Sequence, residues 1–257
     1  MGQLMVSLLV PGALFLGILL FVLVGRRIGL RRLSKTDGGA AGLGVVESAI
    51  FGLMGLLIAF TFSGAASRFD VRRELIVKET NSIGTAYLRL DLLDQETRGL
   101  LQEKFRQYLD SRIDSYRKIK SLDEAETQHA HSLQLQQEIW NLAVSGAQKA
   151  PTPQAMMLLV PALNEMFDIV TTRTMALFQH PPLVVFLMMG VLIFVCSLLV
   201  GCGLADAKRT SWIHLLGFAA IMSVTVYVIF NLEYPRLGII SLGDFDLALV
   251  SLRQSMG

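Results

Sequence analysis

Apolar residues gather in four blocks along this chain, and each block is long enough to cross a bilayer. A hydrocarbon core of about 30 Å needs roughly 20 apolar residues in a helix. The first block runs from about Leu4 to Val24 without a charge, with Pro11 and Gly12 early in it. The second runs from about Val45 to Ser67, and its one ionisable residue, Glu47, sits near the start. The third and fourth run from about Leu183 to Gly203 and from about Trp212 to Leu232, with no charge in their apolar parts. Membrane strands would show short alternating runs instead, so the pattern predicts four helices. No basic stretch precedes the first block, and Arg26 and Arg27 follow it directly. That predicts a retained membrane helix and not a cleaved leader.

The blocks predict an all-α membrane protein with four transmembrane helices in two pairs flanking a soluble helical domain. The expected divisions are a first helix pair over 1–67, a soluble helical domain over 68–182, a second pair over 183–232 and a C-terminal tail over 233–257. A basic, glycine-rich link from Arg26 to Gly44 joins the first pair. A short link from Leu204 to Ser211, with Lys208 and Arg209, predicts an antiparallel hairpin for the second. Ser67 to Leu92 has no proline and one interior glycine, Gly84, so the second membrane helix is expected to continue well beyond the bilayer. Asp94 opens the next helix, where a carboxylate can cap free amides. Leu101, Phe105, Tyr108, Leu109, Ile113 and Tyr116 then recur at three- and four-residue spacing, an apolar stripe on one helix face. A less regular helical pattern with Leu133, Leu135, Ile139, Trp140 and Leu142 covers Thr127 to Ala147. Pro151 and Pro153 break the chain, and a last soluble helix follows, with Pro161 as a kink or restart and an end before His180-Pro-Pro. The tail from Leu242 reads as a short amphipathic piece lying against the soluble domain.

Composition agrees with this class: 53% of the 257 residues are hydrophobic and only 17% charged, below the quarter usual in soluble domains. A formal charge of +2 is too small to imply a nucleic-acid partner. The two cysteines, Cys196 and Cys202, lie in or at the end of the third block, which predicts packing residues and no disulfide framework. No phosphate-binding loop, CxxC, HExxH or GxSxG occurs. His129 and His131 fall on different sides of a helix, a spacing that predicts no shared metal. His180 and His214 are expected at helix ends. No enzyme, metal or cofactor is expected from these residues.

The second membrane helix carries the candidate chemistry. Gly55, Ala59 and Ser63 lie four apart, a small-residue strip that lets helices approach closely in lipid. Leu56 and Phe60, also four apart, share a neighbouring face. Both faces are either packing surfaces within one chain or the lining of a pore. Arg68, Arg72 and Arg73 follow among Asp70 and Glu74. They form either a solvated face with local ion pairs or a basic ring at a pore mouth that gathers anions.

The run from Gly55 to Glu74, GLLIAFTFSGAASRFDVRRE, resembles the second transmembrane helix of bestrophins and its continuation. Leu232-Glu233-Tyr234-Pro235 resembles the acidic-x-Pro element after their last membrane helix. With NSIGTAYLRLDLL and HPPL, nearly the whole chain is similar to a bacterial bestrophin-like family of unknown function. The resemblance implies a homo-oligomer, a pentamer in bestrophins, that conducts small inorganic ions, often anions, across the bacterial inner (cytoplasmic) membrane. It places Leu56 and Phe60 in a hydrophobic neck, with Gly52 where a bulky residue would be expected. Only Asp244 and Asp246 stand near the position of the bestrophin calcium cluster, so no calcium gating of that kind is expected. Topology conflicts with the resemblance. Arg26, Arg27, Arg31, Arg32, Lys35, Lys208 and Arg209 favour both links inside and the soluble domain outside, whereas a bestrophin arrangement puts that domain in the cytosol. The alternative function is a non-conducting scaffold or sensor whose helical domain binds a partner protein. A stator-like proton channel would need an acidic residue deep in a helix, and Glu47 lies near a helix end.

Overall fold

The structure, a computed structural model, describes residues 2–33, 43–117, 122–150, 153–206, 212–235, 240 and 242–257. The links carrying Lys35, Lys208 and Arg209, together with Pro151, lie outside the described residues, as do the side chains of Tyr116, His129 and Asp244. Eight α-helices are described: α1 (Gly2–Leu33), α2 (Leu43–Leu88), α3 (Gln95–Arg117), α4 (Leu122–Lys149), α5 (Gln154–Phe178), α6 (Leu183–Gly203), α7 (Trp212–Glu233) and α8 (Gly243–Ser255). Four spans long and apolar enough to cross a membrane fall at Leu9–Arg32, Gly44–Leu92, Gln154–Gly203 and Trp212–Glu233. At 1.5 Å per residue, the 46 residues of α2 extend roughly 69 Å, more than twice a hydrocarbon core. The helix therefore continues beyond any bilayer it crosses, as its lack of proline predicts.

Two compact units divide the chain, one of Met1–Phe69 with His180–Ser241 and one of Asp70–Gln179 with Leu242–Gly257. In the first, α1 packs chiefly along α6 and secondarily against α7. Ile18, Val22, Met54, Ala65, Ile193, Cys196, Ala219 and Ile229 form its core. The dominant partner of α1 is thus a helix remote in sequence. Glycines bring the two together. A Cβ on Gly25 would fall on the carbonyl oxygen of Leu198, and one on Gly201 on that of Val22. A Cβ on Gly29 would meet Ala205 at 2.6 Å and the Cys202 carbonyl at 2.8 Å. The Cys202 thiol donates to the Gly25 carbonyl at 3.2 Å. Gly17 faces Phe194, Gly25 faces Leu198 and Gly29 faces Cys202, so α1 and α6 run parallel and end at the same side of the unit. The link expected from Arg26 begins only after Leu33. Arg26 to Leu33 lacks a proline, and Gly29 stays helical because α6 packs against it.

In the second unit, Phe105, Tyr108, Leu109, Ile139, Leu159 and Leu163 form a closed core from α3, α4 and α5. Burying each such side chain contributes about 1.5–3 kcal/mol. Leu101, Phe105, Tyr108 and Leu109 of the α3 stripe are buried and Ile113 is partly so, as their spacing predicts, while Leu133 on α4 stays exposed. Pro161 does not restart the helix. It lies inside one continuous α5, whose buried Leu159, Ala162 and Leu163 hold both halves in place. The tail helix α8 packs on α3, and Leu249 and Met256 join the core. At the start of α3, Asp94 Oδ1 accepts from the amides of Glu96 at 3.1 Å and Thr97 at 3.0 Å. These amide bonds hold the Asp94 carboxyl below its ordinary range. We expect Asp94→Ala to speed amide exchange in the first turn of α3, and Asp94→Asn to restore most of the protection.

Candidate functional site

Within the first unit, α2 contributes one narrow face to the core, through Met54, Thr61 and Ala65. The Thr61 hydroxyl is satisfied by the Leu57 carbonyl at 2.7 Å, so it adds no free polar group there. The residues singled out from the sequence lie on the other side. Leu56 is 51% and Phe60 68% exposed, and Gly55, Ala59 and Ser63 are exposed beside them. Nothing lies within 4 Å of a Cβ built on Gly52 or Gly55. Among the described residues the small-residue strip is thus an exposed face, and the close backbone approach in this unit is made by glycines of α1 and α6.

The three arginines after the strip take different roles. Arg68 folds back over Gly64 and grips Glu233 with two bonds from Nε, both 3.0 Å, and one from Nη2 at 2.9 Å. Glu233 is fully buried at the end of α7, and His180 Nδ1 lies 3.0 Å from its Oε1. The His180 ring stacks on Tyr234 at 4.5 Å, and Tyr234 packs on Phe230 at 4.7 Å. A buried carboxylate is tolerated where cations and hydrogen bonds surround it. Arg68 supplies the cation, and Arg68 and His180 lie at hydrogen-bond distance. Arg72, in the second unit, is buried and donates to the carbonyls of Ala176 at 3.1 Å and Gln179 at 3.0 Å, the last carbonyls of α5 and its C-cap. Arg73 pairs with Asp70 at 3.1 Å on an exposed surface. A pore-mouth role for Arg68 and Arg72 thus competes with bonds they make within their own units.

Further along α2, in the second unit, Glu79 lies fully buried between two guanidinium groups. Its oxygens meet Arg112 Nε at 2.7 Å and Arg173 Nη1 at 2.6 Å. Arg173 also reaches Asp246 of α8 at 3.0 Å. Burial alone would raise the Glu79 carboxyl, but the charges and hydrogen bonds of Arg112 and Arg173 outweigh it and hold the group below its ordinary range. The neighbouring Tyr108 hydroxyl is pushed up to about 12 by burial, and it accepts a hydrogen bond from Gln136. Among the described residues, no group of three or more His, Cys, Asp or Glu could hold a metal ion.

Sequence reading missed both buried carboxylates. Glu79 draws Arg112 and Arg173 from two other helices, and Arg173 reaches on to Asp246 of a third, so no spacing rule links them. Glu233 ends α7, and His180 lies in the non-helical segment between α5 and α6, just past the helix end expected for it. Glu233 is the one acidic or basic residue besides His214 in the 22 residues of α7, and a buried carboxylate there needs a cation. That was the available signal. A family model described as the bestrophin-like domain matches residues 12–244. Comparison with curated proteins and with solved structures finds no match.

Proposed function

The chain belongs to the bestrophin-like domain family, and from that premise we propose that several copies assemble into an ion-conducting pore lined by α2. The observation that carries this reading is the outward face of α2, where Gly52, Gly55, Leu56, Ala59, Phe60 and Ser63 are exposed and, among the described residues, a Cβ on Gly52 or Gly55 would meet no atom within 4 Å. Lipid makes no use of a strip of small residues, whereas a neighbouring helix does, because small side chains let backbones approach and gain dispersion contacts. Leu56 and Phe60 then form the apolar constriction, gating by dewetting. The protein is a multi-pass, non-enzymatic membrane protein on this reading. By the family resemblance it is a pentamer of the bacterial inner membrane passing small anions.

A cysteine placed at Phe60 tests the lining. We expect a charged thiol reagent to cut anion flux through Phe60→Cys by about tenfold, with little effect on the native protein. Full retention of flux after complete labelling would remove α2 from the pore. A second reading, a non-conducting scaffold, is favoured by the exposed polar strip Asp70, Glu74, Lys78 and Asn81 on α2 of the second unit. That strip is a surface a partner protein could read. Such a scaffold would assemble and stay silent in flux.

A further inference from the structure

Arg68, Glu233 and His180 come from the end of the α2 span, the end of α7 and the segment before α6, and they meet at one buried carboxylate. A structural pin needs only the first two, since Arg68 already bonds both oxygens of Glu233. The third member adds a group of a different kind. An imidazole is the side chain whose charge ordinarily changes between about pH 5 and 8. With His180 neutral, the cluster carries one guanidinium and one carboxylate and sums to zero. With His180 protonated it sums to +1, without losing a bond, because the imidazolium still donates from Nδ1 to Glu233.

We propose that this cluster is a proton-operated charge switch at the end of the α2 membrane span. His180 is 28% exposed and Arg68 equally so, and Glu233 between them is sealed. Protons therefore reach the imidazole from solvent while the carboxylate stays a fixed counter-charge. The groups facing His180 are Glu233 and Tyr234 of α7, with Arg68 of α2 behind the carboxylate. The preceding residue, Gln179, has its carbonyl bonded by Arg72. Stacking on Tyr234 fixes the ring plane, so Nδ1 stays aimed at Glu233 in both charge states. The consequence for transport rests on the channel reading. Arg68 lies on the core-facing side of α2 with Thr61 and Ala65, so a positive charge gained in the cluster acts through its field at this end of the span, where it raises the local concentration of anions and speeds their entry.

The test uses the full chain in liposomes and in nanodiscs. Halide flux is measured from about pH 8 to about pH 5 for the native protein, for His180→Gln, which cannot charge, and for His180→Arg, which is always charged. In parallel, the imidazole nitrogen signals that His180→Gln removes are followed over the same range. We expect native flux to rise about threefold or more on acidification, His180→Gln to be flat and low, and His180→Arg flat and high. The assigned imidazole changes from the neutral to the imidazolium pattern in the same window. An equal acid response in native protein and both variants would overturn the switch, as would an imidazole that keeps one pattern throughout. An imidazole that changes pattern in protein silent at every pH would overturn the channel reading and leave the charge switch supported.

Discussion

Gly25→Ala and Gly201→Ala are expected to cost the first unit most of its stability, while Gly12→Ala and Gly55→Ala leave it folded. The alanine series isolates a single methyl group. At Gly25 and Gly201 that methyl falls on a backbone carbonyl of the facing helix, and a backbone in a packed helix cannot turn aside as a long side chain can. The helices must separate, and the loss spreads to the Phe21–Phe194 stack and the Cys202 thiol bond on the same interface. Overpacking in cores typically costs 1–3 kcal/mol, and a clash with main chain belongs at or above about 3 kcal/mol. At Gly12 and Gly55 the same methyl meets open space. Thermal unfolding in detergent, followed by the fluorescence of Trp212 in a Trp140→Phe background, reads this unit. Equal melting of all four variants would show that α1 and α6 do not approach as described. Gly55→Ala carries a second expectation: if α2 meets its copies through the small strip, that variant weakens assembly while the single chain stays folded.

The second large effect belongs to Glu79. Glu79→Ala leaves Arg112 and Arg173 buried without their shared counter-charge, and removing one partner of a buried pair costs about 3–5 kcal/mol. Glu79→Gln keeps the shape and part of the hydrogen bonding but none of the charge, so it falls between. Replacing Glu79, Arg112 and Arg173 together by leucine and methionine is expected to recover much of the loss, because burying charge is itself costly. The acid dependence follows from the same geometry. Folding lowers the Glu79 carboxyl below its unfolded value of about 4.3. Its stabilisation is therefore complete above that value and is lost as pH falls through the lower folded value. Between about pH 7 and 5 the native protein should show no loss from this group. Below about pH 4 it should lose stability more steeply than Glu79→Gln. Trp140 fluorescence in a Trp212→Phe background follows the second unit alone. A Glu79→Ala protein as stable as native would mean that the carboxylate does not hold the two guanidiniums.

The spans were legible because crossing a membrane demands length and apolarity, and both can be counted along a chain. The long reach of α2 was legible too, since nothing from Ser67 to Leu88 can break a helix. The α3 stripe was legible because a period near 3.6 marks the buried face without naming the partner. Partners were the part that could not be read. Gly25 and Gly29 are four apart, the same small-residue signal as on α2, but Arg26 and Arg27 between them read as the end of the span. The short link after α6 argued for a hairpin with α7. Loop length, however, says only which helices can be near, whereas backbone approach at glycine decides which are closest. For the candidate site, spacing put Leu56 and Phe60 on one face and the small strip beside it, and among the described residues all of them are exposed on α2. Of the three arginines, the sequence offered charge alone. Arg73 pairs with its neighbour Asp70, but what Arg68 and Arg72 meet depends on residues more than a hundred positions away, such as Glu233 and Ala176.

Halide efflux from liposomes holding the purified oligomer, native and Phe60→Ala side by side, tests the central claim most directly. An α2-lined pore predicts efflux well above that of empty liposomes from the native protein and a changed rate or ion preference from Phe60→Ala, with assembly intact in both. No efflux from either, with the protein folded and oligomeric, would contradict the channel and leave the scaffold.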